Sequence, residues 1–75
     1  MPKVPRVTGE EAIRAFGAAG FILDHIKGSH HILKHPTNPV RLSIPVHAGH
    51  TVGMGLLSRQ IKLANLTVEA FTNLL

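Results

Sequence analysis

Between residues 27 and 36 the chain reads Lys27-Gly28-Ser29-His30-His31-Ile32-Leu33-Lys34-His35-Pro36, three imidazoles and two ammonium groups within ten residues. An imidazole titrates near neutrality, so it both takes up and delivers protons under mild conditions. Fixed positive charge around it suits chemistry at a phosphate, whose oxygens gain charge as a nucleophile attacks. Asp24 is the last acidic residue before Glu69, so along the chain nothing between them neutralises Lys27, Lys34, Arg41, Arg59 and Lys62. On an RNA substrate, a neutral His30 suits removal of the 2′-hydroxyl proton during attack on the adjacent phosphorus. Lys27, Lys34 or Arg41 then stabilises the phosphoryl oxygens. Spacing alone does not separate such a His30 from an ordinary solvent-facing histidine.

Those residues need a frame, and the flanking sequence predicts one. Residues 1 to 7, with Pro2 and Pro5, read as an extended lead-in. Thr8-Gly9-Glu10-Glu11 has the spacing of a capping box, and both glutamates suit the positive end of a helix dipole. Ala12, Ile13, Phe16 and Ala19 recur at helical spacing, and Gly20 is placed to end that helix in a left-handed conformation. Residues 21 to 27 and 30 to 35 read as strands joined by a turn at Gly28-Ser29. Pro36-Thr37-Asn38-Pro39 breaks the pattern. In the next strand Val40, Leu42, Ile44 and Val46 alternate with Arg41, Ser43 and Pro45, and Pro45 predicts an edge or an end. Residues 47 to 53 read as a loop.

From Met54, the residues Leu56, Leu57, Ile61, Leu63 and Ala64 predict a second helix with Arg59 and Lys62 outward, closed by Asn65. Thr67 caps a short last helix holding Val68, Phe71, Leu74 and Leu75. The expected fold is therefore α+β, in the order α-β-β-β-α with a helical tail. A three-stranded antiparallel sheet has helices packed on one face, and its other face stays open and polar. A ligand would lie on that open face or at the seam between sheet and helix.

Period-two alternation along the second strand places His30, Ile32 and Lys34 on one face and His31, Leu33 and His35 on the other. His25, His31 and His50 read most simply as ordinary exposed or half-buried histidines. Six histidines invite a metal reading through His31 and His35, or His47 and His50. Against it, strand residues four apart stand roughly 13 Å from each other, and the chain has no cysteine and few carboxylates. No metal and no cofactor are expected. Gly49, Gly53 and Gly55 precede a helix that could hold one phosphate, but no P-loop or dinucleotide fingerprint is present. Phe16, Phe21 and Phe71 are the only aromatics besides the imidazoles and read as core, which disfavours base stacking and favours backbone or shape recognition.

Size and charge bound these readings. Seventy-five residues make one domain, spanning 1 to 75. The net charge is +4, and all four acids, Glu10, Glu11, Asp24 and Glu69, lie towards the ends of the chain. The middle should attract phosphates. No apolar run is long enough to span a membrane, and the start has no secretory pattern, so a cytoplasmic location is the expectation.

The motif order resembles the HicA-type (YcfA-like) toxins of toxin–antitoxin pairs. The matching pieces are Gly20-Phe21, Gly28-Ser29-His30, His35-Pro36, Ile44-Pro45-Val46-His47, Gly55, and Ile61-Lys62-Leu63-Ala64-Asn65-Leu66-Thr67. The family commonly has Gly-Thr-Leu where this chain has Gly55-Leu56-Leu57, and glycine where Asn65 stands. The resemblance implies a fold similar to a double-stranded-RNA-binding domain and metal-independent endoribonuclease activity on mRNA (an mRNA interferase). It also implies a HicB-type antitoxin partner, and His30 as the single catalytic histidine. Lys27, Gly28, Ser29, Lys34, His35, Arg41, His47 and Lys62 are the residues expected to meet RNA. The alternatives are a non-catalytic RNA-binding module or a protein-interaction module.

Overall fold

The computed structural model describes residues 3–75; positions 1 and 2 of the expected lead-in lie outside the described residues. The chain forms α1 (Gly9–Ala18), β1 (Ile22–Lys27), β2 (His30–Lys34), β3 (Leu42–Pro45), α2 (Met54–Leu63) and α3 (Val68–Asn73). The strands lie in the order β1-β2-β3 and are antiparallel throughout. The expected α-β-β-β-α order with its tail is thus present.

Local chemistry sets the helix ends. The Thr8 hydroxyl accepts from the Glu11 N–H at 3.2 Å, and the Glu11 carboxylate accepts from the Thr8 N–H at 2.9 Å, closing the capping box. At the other end Gly20 adopts φ 101°, Gly20 N–H donates to Gly17 O, and Phe21 N–H donates to Phe16 O, both at 3.0 Å. That is a Schellman motif, completed by the edge-on packing of Phe16 on Phe21. Asn65, at φ 61°, repeats the motif after α2, with Leu66 N–H donating to Ile61 O. The Thr8 box holds the Glu11 carboxyl below the usual carboxylate range, mainly through its backbone hydrogen bond to Thr8. A lowered folded value means full stabilisation above the unfolded range, around pH 4, and loss as the pH falls through the lowered value. Urea midpoints measured from pH 7 to pH 3 should therefore show the deficit of Thr8→Ala shrinking with acidification.

One core joins the layers. Phe16, Phe71, Leu33, Leu42, Ile44, Leu57 and Ile61 are its fully buried large side chains. Both α1 and α2 pack over β3, whereas every residue of β1 is exposed. Helix cover thus reaches the β3 side of the sheet and stops short of the β1 edge, leaving Ile22, Leu23 and Ile26 about half exposed. The imperfect alternation of β1 has a cause in its register. Leu23 faces Leu33 and His25 faces Ile32, so Asp24 is the extra residue of a bulge.

On α2 the expected apolar stripe is shifted. Leu57, Gln60, Ile61 and Ala64 are buried, the i, i+3, i+4, i+7 face of the helix. Leu56 and Leu63, expected inside, flank that stripe and are 37% and 39% exposed. Gln60 takes the position between them for a polar reason: its Oε1 accepts the Ser43 N–H at 3.0 Å. The edge strand β3 is thereby stitched to α2. Gln60→Leu keeps the bulk and removes the acceptor, so it is expected to cost about 1–3 kcal/mol, read from the urea midpoint.

Candidate active site

The Gly28-Ser29 turn places the catalytic candidate. Gly28 adopts φ 62° as the first of two central residues, the pattern of a type II′ hairpin turn. A Cβ there would meet nothing within 4 Å, so the glycine answers to the backbone angle and not to crowding. The turn sets Lys27 opposite His30, and the next ladder sets His30 opposite Pro45. Paired residues share a face, so Lys27, His30 and Pro45 form a row across one end of the sheet. His30 is exposed there, away from the buried Leu33, Leu42 and Ile44 that face the helices. Cross-strand neighbours have Cβ atoms roughly 4.5–5.5 Å apart, which makes Lys27 the cation nearest to His30 by pairing. The ladder runs one residue beyond β3, because Val46 N–H donates to Ser29 O at 2.8 Å.

Lys34 shares the face of His30 but stands four residues along the strand, roughly 13 Å away. It is also partnered. Asp24 Oδ1 lies 3.7 Å from Lys34 Nζ, and Asp24 Oδ2 lies 3.8 Å from Arg41 Nε and 3.3 Å from His25 Nδ1. The expectation that nothing neutralises Lys34 and Arg41 is therefore corrected: their counter-charge is Asp24, brought in by the bulge. The hydrogen bond from His25 first, then the charges of Lys34, His25 and Arg41, hold the Asp24 carboxyl below its ordinary range.

The other candidates separate in space. His35 closes the α1–β1 corner: its Nδ1 accepts from Thr37 N–H at 3.1 Å, its ring meets Phe21 edge-on, and it lies so close to Gly20 that a Cβ there would come within 2.7 Å of Nε2. Lys62 joins His35, Asn38 and Asn65 in lining a groove of about 680 Å³ between the 36–40 turn and the end of α2. His31 is half-buried on the helix-facing side, with a buried Nδ1 that has no hydrogen-bond partner. His47 and His50 are exposed in the loop, their rings nearly perpendicular at 6.5 Å. Among the described residues no cluster of three or more histidines and carboxylates is placed to hold a metal ion. At the start of α2 no side chain caps Gly53 and no acid occupies the first turn, and Lys3 and Arg6 line a groove beside Gly55.

Sequence reasoning passed over Asp24 as a partner and Gln60 as a core residue. For Asp24 the broken alternation of residues 21 to 27 was the available signal; for Gln60 there was the gap in an otherwise apolar stripe.

A three-stranded sheet with helices over one face and a histidine standing on the other defines a small α+β domain similar to double-stranded-RNA-binding domains. The chain belongs to the HicA family: a family model described as the HicA toxin of bacterial toxin-antitoxin matches residues 9–66, from the first turn of α1 to Leu66. It is accordingly a toxin-type protein of a toxin–antitoxin pair, with an antitoxin as partner. A search of curated proteins finds no match to the chain.

Proposed function

We propose that the chain is a metal-independent endoribonuclease that cleaves mRNA, with His30 as its proton-transfer residue. The observation that carries this reading is the row Lys27, His30, Pro45, which keeps an imidazole in solvent beside an ammonium group on the open sheet face. RNA supplies its own nucleophile. His30 takes the proton of the 2′-hydroxyl, the oxygen attacks the adjacent phosphorus, and Lys27 offsets the charge gathering on the phosphoryl oxygens. Gly28 and Ser29 let the sugar–phosphate backbone approach the turn closely. Lys34, Arg41, His35 and Lys62 contribute further along the surface, by attraction for the backbone and not by reading bases.

A HicB-type antitoxin that covers the His30 end of the sheet would hold the enzyme silent. The site of action is the cytoplasm, where mRNA is found; no described helix is long and apolar enough to cross a membrane.

The test is to incubate the purified protein with mixed-sequence RNA in chelator and analyse the product ends. Fragments ending in 2′,3′-cyclic phosphate support the reading. Fragments with 5′-phosphates, or cleavage only after a divalent metal is restored, overturn it. Salt-sensitive binding without scission would instead identify a non-catalytic RNA-binding module.

The ion pairs of Asp24 yield a separate expectation. Asp24→Asn frees Lys34 and Arg41 for phosphate, so affinity for RNA should rise several-fold and fall more steeply with added salt, by about one unit of the log–log slope for each cation gained. Fluorescence anisotropy at several salt concentrations measures both.

A further inference from the structure

The two edges of the sheet end differently. On β3 the Ser43 N–H points away from β2 and donates to Gln60 Oε1 at 3.0 Å, so α2 closes that edge. The same bond fixes the pattern of the ladders, because the backbone groups of successive strand residues point to opposite sides. With Ser43 turned outward, its partner Ile32 turns its N–H and C=O towards β1, as do His30 and Lys34. Their partners in β1 are Lys27, His25 and Ile22. Leu23 and Ile26, opposite Leu33 and His31, are left with backbone groups pointing off the free edge. Among the described residues no loop or side-chain hydrogen bond reaches them.

The side chains of the same two residues are uncovered as well. Leu23 and Ile26 lie on the helix-facing side of the sheet, beyond the cover of the helices, and are about half exposed. On the open side of the strand stands Lys27, paired with His30. The edge thus offers two backbone donor–acceptor pairs, apolar side chains on one face and an ammonium group on the other. A strand that alternates apolar and acidic side chains matches all three. A second copy of the chain matches poorly, since it brings a further net charge of +4 to the same edge.

We propose that the antitoxin docks on this edge, adding a strand to β1 through Leu23 and Ile26 and setting a carboxylate against Lys27. The inference rests on the antitoxin partner and deepens the covering role given to it above; the docking does not depend on the nuclease chemistry. Neighbouring strands stand roughly 4.8 Å apart, so the added strand lies about 10 Å from β2 and its His30, with β1 between. Its carboxylate occupies Lys27, and His30 loses the free ammonium group beside it.

The experiment mixes the full chain with its cognate antitoxin, each purified, and follows amide hydrogen exchange residue by residue. In the free chain the Leu23 and Ile26 amides should exchange faster than those of His25 and Lys27. In the complex they should slow by about tenfold or more. Calorimetric titration then compares Leu23→Glu, Ile26→Glu and Met54→Glu, each placing a carboxylate at a half-exposed apolar position, the last at the start of α2. The two β1 variants should bind the antitoxin roughly tenfold or more weakly, and Met54→Glu should bind as the unmodified chain does. The exchange measurement needs no substitution, so it decides even where a variant melts early. Slowed exchange confined to other elements, or β1 variants that bind at full affinity, overturn the assignment. So does protection of the two amides in the concentrated chain alone, which would make a second copy the occupant. Failure of the unmodified chain to bind the antitoxin removes the covering role as well, and that outcome is distinct because it precedes every variant.

Discussion

RNA cleavage by His30→Ala is expected to fall by about 10²–10⁴-fold, the usual contribution of a general acid or base, with the melting temperature unchanged. The two halves of that expectation come from different features. The loss of rate follows from chemistry, since no other side chain pairs across the sheet with Lys27 in β1 and Pro45 in β3. The unchanged stability follows from exposure: the His30 ring takes no hydrogen bond from the described residues and is not part of the core. A fluorogenic RNA assay beside a circular-dichroism melt measures both. Retained cleavage would move catalysis elsewhere on the sheet, and a lower melting temperature would mean that His30 carries structural weight that its exposure denies.

The second large effect is expected in the core. Phe16 is fully buried; its ring lies 4.9 Å from that of Phe71 and 6.0 Å from that of Phe21, so it joins α1 to α3 and to the entry of β1. Phe16→Ala should cost about 3–5 kcal/mol. A chain of this size has only roughly 4–11 kcal/mol to lose, from the usual per-residue stability. The variant should therefore melt upward of about 12 °C lower or fail to fold at physiological temperature, and lose every activity with its structure. Differential scanning calorimetry reads it directly. A shift of only a few degrees would show that the three aromatic rings do not act as one packed unit.

Much of the frame was legible along the chain. Thr8 with Glu11, Gly20, Asn65 and Thr67 each act on backbone within five residues of themselves, so their roles followed from local chemistry and were found as expected. Clean alternation over residues 40 to 46 predicted β3 with Leu42 and Ile44 inward. Residues 21 to 27 were harder, since one bulged residue shifts every later side chain relative to its partner. Leu56 was expected in the core because it is apolar and close in sequence to Leu57; a helix turns about 100° between them, and only one can face inward.

Sequence alone determined the order of elements, the helix ends and the Gly-Ser turn that presents His30, because each depends on bonds between near neighbours. Tertiary structure decided what surrounds that histidine: Lys27 and Pro45 on either side, Asp24 drawn onto Lys34 and Arg41, and Val46 bonded back to Ser29 of the turn. Those relations arise from strand register and from which strand the helices cover. Both depend on pairings between residues far apart in the chain, where a displacement of a single position exchanges one face of the sheet for the other.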